Sequence, residues 1–200
     1  MTTVQAAPVF PLQLELDSPL QVARWRPLVH WLLVIPHFVV VYAIGAVQSI
    51  VWFIGWFAIL FTGKMPEGFT GVLVMTLRYQ WRVTSFMLFM RESYPPFEFP
   101  TVAADPGNDP ARLSVQPAPT LSRGLIFIKW WLLAIPHYFA LLFLGLGAYF
   151  AILIGFFAVL FTGAWPEGLR TYIIGVMRWS NRVNAYVLNL TDEYPPFSLS

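Results

Sequence analysis

The chain is a tandem duplication whose second copy follows the first after one hundred residues without a shift of register. The motif WLLVIPH at Trp31 returns as WLLAIPH at Trp131, and FAILFTG at Phe57 returns as FAVLFTG at Phe157. A constant register requires loops of equal length, so one unit must be built twice. The predicted parts are copy one (1–100), a linker with a short strand (101–119) and copy two (120–200).

Each copy contains a long run that is free of Asp, Glu, Lys and Arg. One run lies between Arg26 and Lys64, and the other lies between Lys129 and Glu167. Only 11% of the chain is charged, whereas soluble domains carry charge on about a quarter of their residues. Apolar runs longer than about 18 residues are typical of membrane spans. The sequence therefore predicts an integral membrane protein.

We expect each run to form a transmembrane hairpin. A single helix through a run of about 35 residues would be roughly 50 Å long, whereas the hydrocarbon core is about 30 Å thick. Glycine and polar residues near 45–49 and 145–147 favour turns, giving apolar hairpins at 27–63 and 130–163. This arrangement places every Lys and Arg on one side, which is typically cytoplasmic. It predicts a multi-pass protein of the bacterial plasma membrane with parallel copies and cytoplasmic termini.

The rest of each copy is predicted from periodicity and from helix signals. The alternating stretches Leu12–Asp17 and Arg112–Gln116 predict short cytoplasmic β-strands. Segments 66–90 and 166–190 are predicted to be amphipathic helices, because an initial Pro and a following Glu suit a helix N-terminus. The predicted fold class is thus an α-helical multi-pass membrane protein, built from a duplicated unit of hairpin and amphipathic helix with short β-strands.

Two details of this scheme stay open. The amphipathic segments are long enough to cross a bilayer, but an arginine at its centre costs about 2.5 to 3.5 kcal/mol, which favours a surface position. Each copy ends in Tyr-Pro-Pro-Phe, and the residues that follow, 97–99 and 197–199, are candidates for further strands. Residues 1–20 lack a basic n-region and a compact apolar region, so no cleavable signal peptide is expected.

These motifs resemble an uncharacterised bacterial membrane protein family that is common in actinobacteria, domain of unknown function 4389. The resemblance rests on WLLxIPH, FAxLFTGxxPxG, the run from Arg178 to Val183 and YPPF, and it covers nearly the whole chain in two copies. Copy one departs from it slightly, with Tyr79 where copy two has Trp179. The resemblance implies a multi-pass membrane protein and supplies no reaction, ligand or catalytic residue.

Two equivalent histidines are the candidate ligand-binding residues. His37 and His137 each follow Ile-Pro, and across a pseudo-twofold axis they could bind a ligand or serve as axial ligands of a haem between the copies. The alternative is a structural histidine that bonds a carbonyl freed by the preceding proline. No other cofactor and no metal site is predicted, and the absence of cysteine excludes thiolate ligands.

Four arginines are the candidate residues for binding lipid head groups. Arg78 and Arg82, like Arg178 and Arg182, lie four residues apart and so on one helix face. Facing the inner leaflet, each would contribute about 1 kcal/mol to binding anionic lipids. The alternative is a set of salt bridges within the protein, for which the candidate partners are Glu67, Glu167, Asp192 and Glu193.

No catalytic triad or phosphate-binding loop occurs, so we do not expect an enzyme, and a net charge of +2 does not suggest nucleic acid. The first hypothesis is a non-catalytic scaffold or accessory component of a membrane assembly, or a membrane-shaping protein. Its partners would be the lipid bilayer, anionic lipids and a further membrane protein. The alternative is a carrier of a lipophilic ligand or haem between the repeats. Transport is disfavoured because the apolar runs contain no carboxylate or lysine.

Overall fold

The computed structural model describes residues 10–200. Residues 1–9 lie outside the described residues. They form the first part of the segment 1–20, in which no cleavable signal peptide is expected. Copy one comprises strand β1 (Leu12–Leu16) and helices α1 (Arg26–Leu33), α2 (Ile35–Thr62) and α3 (Glu67–Met87). Copy two comprises strand β2 (Ala111–Val115), a 3-10 turn (Leu125–Phe127), a π-helical segment (Lys129–Leu133) and helices α4 (Ile135–Thr162) and α5 (Glu167–Val187).

The two strands pair with each other in a symmetric way. β1 and β2 are antiparallel, with Leu14 opposite Leu113 at the centre and Leu12 opposite Val115 at one end. A pseudo-twofold axis therefore passes between the central pair, perpendicular to the sheet. Both central leucines are fully buried, since directly opposed residues point to the same face of a sheet.

The strand predictions near the N-terminus of each copy are confirmed to within one residue. The further strands suggested at 97–99 and 197–199 are wrong, because those residues have no regular secondary structure. Two prolines precede each segment, and proline removes a donor that a strand ladder needs. Instead, the half-exposed ring of Phe97 stacks on His37 at the start of α2.

Helix α3 lies between the sheet and α2. One face of α3 packs against the strands through a cluster that includes Leu73, Leu77 and Trp81. Residues spaced by four share a helix face, so the axis of α3 runs along the sheet over several turns. The face that contains Tyr79 and Val83 packs against α2 and the residue before it. Helix α5 occupies the equivalent place in copy two.

The predicted hairpins within the apolar runs are wrong, because α2 and α4 are each one continuous helix of 28 residues. A glycine inside a helix costs only about 1 kcal/mol relative to alanine, and the Ser49 hydroxyl donates to the Gly45 carbonyl at 3.0 Å. The chain reverses instead after α2, where Gly63 adopts a left-handed φ of 71°. The observed hairpins are thus α2 with α3, and α4 with α5.

The outward faces of α2 and α4 are apolar and exposed. Tyr42 and Phe61 on α2 are 83% and 72% exposed, and Phe143 on α4 is 70% exposed. The segments Ile35–Thr62 and Lys129–Thr162 are long and apolar enough to span a membrane, yet only 6% and 22% of their most apolar windows are buried within the protein. They are therefore not the core helices of this fold.

The end of each copy crosses its α3 or α5 helix at a glycine. A Cβ on Gly71 would lie 2.3 Å from the Thr101 carbonyl oxygen, whereas one on Gly68 would meet nothing within 4 Å. We expect Gly71→Ala to lower the free energy of unfolding by about 1 to 3 kcal/mol, because backbone must move. The matched Gly68→Ala variant should be neutral or more stable by up to about 1 kcal/mol. Thermal unfolding in mild detergent, followed by circular dichroism, measures both, and equal effects would contradict the close crossing.

Candidate functional site

His37 lies at the start of α2 inside an aromatic cage. Its ring stacks on Phe97 with 4.4 Å between ring centroids and tilts against Tyr94 at 4.7 Å. Its Nδ1 atom is 2.6 Å from the Tyr79 hydroxyl. Burial raises the pKa of Tyr79 to about 12, so this hydroxyl keeps its proton and can donate it to the imidazole.

Copy two builds the same cage around His137. The ring stacks on Phe197 at 4.3 Å and contacts Tyr194 at 4.7 Å. The indole Nε1 of Trp179 donates to Nδ1 at 3.1 Å. Since an indole can only donate, Nδ1 is the acceptor and the neutral ring carries its proton on Nε2. The difference between Tyr79 and Trp179 therefore preserves the same hydrogen bond.

The structure does not bring His37 and His137 together. The aromatic and hydrogen-bonding partners of each ring come from its own copy, and both rings are fully buried. The prediction that they share a ligand or a haem is wrong in its geometry, because Nε2 of each ring is enclosed by protein. The cage also explains the Tyr-Pro-Pro-Phe motif, whose Tyr and Phe form two of its walls.

Arg78 is fully buried and holds the linker in place. Its Nε atom donates to the Leu113 carbonyl at 2.9 Å and lies 3.1 Å from an Asp105 carboxylate oxygen. The remaining nitrogens donate to four carbonyls, those of Pro100, Val102, Ala103 and Ala104. Burial lowers the pKa of the Arg78 guanidinium, and the Asp105 charge opposes that shift. Every nitrogen of the guanidinium therefore has at least one oxygen acceptor.

The other predicted arginines are also engaged by protein. Arg82 is buried beside Asp105 at 3.5 Å and Asp109 at 3.9 Å. In copy two the acceptors are carbonyls: Arg178 donates to Leu14 and Leu199, and Arg182 donates to Ser198 and Ser200. The lipid prediction is wrong for the buried Arg78, Arg82 and Arg182, while Arg178 is partly buried with the same type of partner.

The salt-bridge partners differ from those expected. Asp105 and Asp109 come from the linker, and the sequence showed them only as two acids in a Pro-rich stretch. Asp192 pairs with Lys129 at 2.5 Å. Glu67 and Glu167 occupy the first turns of α3 and α5, where the helix dipole favours a negative charge.

An aromatic groove opens on the apolar side between the two copies. Its volume is about 680 Å³. The lining residues are Trp52, Phe53, Trp56 and Phe57 of α2 with Phe127 and Trp130 of copy two. We call it the aromatic groove. Sequence separation hides this surface, because its two walls come from segments about 70 residues apart.

Within residues 10–200 the structure contains no group of three His, Asp or Glu residues that could hold a metal ion. A family model described as Domain of unknown function (DUF4389) matches residues 24–98 and 126–198. The comparisons with curated proteins and with solved structures found no match.

We expect Arg78→Gln to lower the free energy of unfolding by about 3 to 5 kcal/mol, because it leaves a buried carboxylate and several carbonyls without their donor. The control is Arg112→Gln, which breaks the exposed Arg112–Glu15 pair at 3.1 Å and should cost no more than about 1 kcal/mol. Urea unfolding in mild detergent, monitored by tryptophan fluorescence, gives both values. Similar losses for the two variants would show that Arg78 does not hold the linker.

His30 provides a pH test. Its Nδ1 is 2.6 Å from the Phe86 carbonyl and its Nε2 is 3.3 Å from an Arg26 nitrogen, so Nδ1 carries the proton and Nε2 accepts. Burial lowers the pKa of His30 from 6.5, and the Arg26 charge adds to this. Its contribution to stability is complete above pH 6.5 and is lost as the pH falls through the lowered folded-state pKa.

The measurement for His30 is the free energy of unfolding against pH for the wild type and for His30→Gln. We expect the difference between the two curves to shrink below pH 6.5, because the unfolded histidine then binds a proton that the folded one excludes. A difference that stays constant down to pH values well below that point would contradict the neutral, buried state of His30.

Proposed function

The chain belongs to the family described as domain of unknown function 4389, and from that premise and the fold we propose that it is a non-catalytic scaffold anchored in one face of a membrane. Helices α2 and α4 would lie within a single leaflet, and the strand and linker layer would face water. The supporting observation is that the molecule has one broad apolar side and one polar side.

The polar side lies opposite the membrane-facing helices. Gln13, Glu15, Arg112 and Ser114 alternate with the buried strand residues and point away from the core. Helix α3 separates this layer from α2, because its two faces pack against the sheet and against α2 respectively. The order of layers is therefore polar sheet, inner helix and apolar outer helix.

This order of layers favours a helix lying in the membrane plane over one that crosses it. The axis of α3 runs along the sheet, and α2 runs beside α3. If α2 crossed the bilayer, the polar face of the sheet and the exposed residues Thr101 and Asn108 would enter the hydrocarbon. Each polar group without a partner there costs several kcal/mol. Embedding α2 from its outer side leaves all of them in water.

Residues at the ends of the apolar helices are typical of the membrane interface, where lipid head groups meet the hydrocarbon. Trp31 and Trp131, just before α2 and α4, are 60% and 47% exposed, and tryptophan is enriched where lipid head groups meet the hydrocarbon. Exposed cations at the other ends, Arg24, Lys64 and Arg123, favour the cytoplasmic face of a plasma membrane.

A scaffold role fits the burial and hydrogen bonding of the polar side chains. The buried arginines are bonded to carbonyls and carboxylates, and the caged histidines are shielded from solvent. Such groups stabilise a fold and offer no open reactive centre. The exposed polar face is then the surface on which a further component of a membrane assembly would bind.

Cysteine labelling tests the topology, since the chain contains no cysteine. Ser93→Cys marks the N-terminal end of α2 beside the His37 cage, and Gly68→Cys, in the first turn of α3, marks the C-terminal end of α2. In a double variant reconstituted into sealed vesicles, a membrane-impermeant maleimide should add either two labels or none to each molecule. The reason is that both ends of an in-plane helix face the same compartment.

Intact-mass spectrometry counts the labels on each chain. A population carrying one label per molecule would show that α2 crosses the bilayer and would overturn the proposal in favour of the multi-pass topology. The control is Gly45→Cys in the middle of α2, where a side chain meets nothing within 4 Å. It should react only after detergent is added.

A further inference from the structure

The aromatic groove has a cationic rim at one end. Arg123 lies against Gly63, with its Nε 3.7 Å from the position of a Cβ on that glycine. The Leu121 amide donates to the Gly63 carbonyl at 2.8 Å, which fixes this segment at the C-terminus of α2. Lys64 follows directly. Both cations are exposed, and neither belongs to an ion pair within residues 10–200.

The rim and the groove are built from the same two segments. The indole of Trp56 donates to the Ile126 carbonyl at 3.3 Å, and its ring meets Phe127 edge-on at 4.9 Å. The chain that carries Arg123 therefore continues directly into the wall of the groove. No residue of the groove lining carries a charge, so the groove suits an apolar occupant and the rim suits an anion.

The dimensions of this surface match one lipid chain. From Gly63 to Trp52, α2 spans about 16 Å at 1.5 Å per residue. This is about the length of one acyl chain, because two such chains end to end make up a hydrocarbon core about 30 Å thick. A flexible acyl chain can follow a groove lined by large aromatic rings, while a rigid planar group would need a deeper slot.

We propose that the aromatic groove, Arg123 and Lys64 together bind one anionic phospholipid of the surrounding bilayer. The phosphate contacts the two cations at the C-terminus of α2, and one acyl chain lies in the groove. This inference rests on the proposed insertion into a membrane, and it names the lipid class that the inserted protein selects.

The second copy supplies a natural control within the same molecule. Arg24 lies against Gly163 as Arg123 lies against Gly63, so the cation is repeated. The groove is not repeated: Ile152 and Phe156 replace the two α2 tryptophans, and Ala164 replaces Lys64. The position of Trp130 is taken by His30, which is fully buried. The site therefore exists once, and each chain should bind one lipid rather than two.

Native mass spectrometry of the full chain, released from nanodiscs of phosphatidylcholine and phosphatidylglycerol, tests the site. We expect one phosphatidylglycerol to be retained per chain in preference to phosphatidylcholine. The double variant Arg123→Gln, Lys64→Gln should reduce that retention about thirtyfold, given about 1 kcal/mol per cation. Arg24→Gln, the matched control, should leave it unchanged. Trp56→Ala should reduce retention of both lipids, because the groove holds the chain and not the head group.

Three results would overturn the site: equal retention of the two lipids by the wild type, an equal effect of Arg24→Gln, or two retained phosphatidylglycerols per chain. Flotation with vesicles of phosphatidylcholine alone distinguishes a failure of the lipid site from a failure of the proposed function. A wild type that floats but shows no head-group preference removes only the lipid site. A wild type that does not float at all removes the membrane proposal as well.

Discussion

Two arginines hold the two copies together at the edges of one small sheet. Arg78 of copy one donates to the Leu113 carbonyl of copy two, and Arg178 of copy two donates to the Leu14 carbonyl of copy one. An isolated two-stranded sheet is at best marginally stable in water. Here each strand packs on the helix of the other copy, and its outward carbonyl meets a charged donor. Neither copy could satisfy these groups alone, so the duplication is one folding unit.

The position of the apolar helices follows from the packing of each strand against the helix of the other copy. The Val22 amide bonds to the Gly163 carbonyl and the Leu121 amide bonds to the Gly63 carbonyl, so the segment after each strand also crosses to the other copy. The centre is then filled by the strands and the inner helices. Helices α2 and α4 are left outside, each with one face covered. Their uncovered faces have no charge, and removing such apolar faces from water is favourable.

Periodicity in the sequence was enough to predict the local structure. The alternation from Leu12 and the Pro-Glu start at Pro66 are local signals, and the structure confirms the strands and the presence of both helices. It places α3 inside the fold with two faces packed, rather than on a surface with one face packed. The hairpin prediction failed because it placed a break near Gly45, where α2 continues, whereas the apolar run divides at Val34 between α1 and α2. The arginine and histidine predictions failed because their partners are distant in sequence. Asp105 is a linker residue, and the ring of Phe97 reaches α2 only after two prolines have redirected the chain.

The two copies differ in a way that separates structural from surface roles. Where copy one balances buried arginines with Asp105 and Asp109, copy two uses carbonyls near Ser200. Carboxylates in copy one and carbonyls in copy two thus accept hydrogen bonds from equivalent arginines, so the two copies keep the same arrangement in the core. On the apolar side, the Trp52 indole donates to the Val187 carbonyl at 3.1 Å, a bond that Ile152 cannot make, and its ring also forms part of the aromatic groove. If the chain is the proposed membrane scaffold, one distinct groove on a twofold body gives it a defined direction in the membrane plane. The proposed scaffold would use that direction to place a single partner on one side of itself.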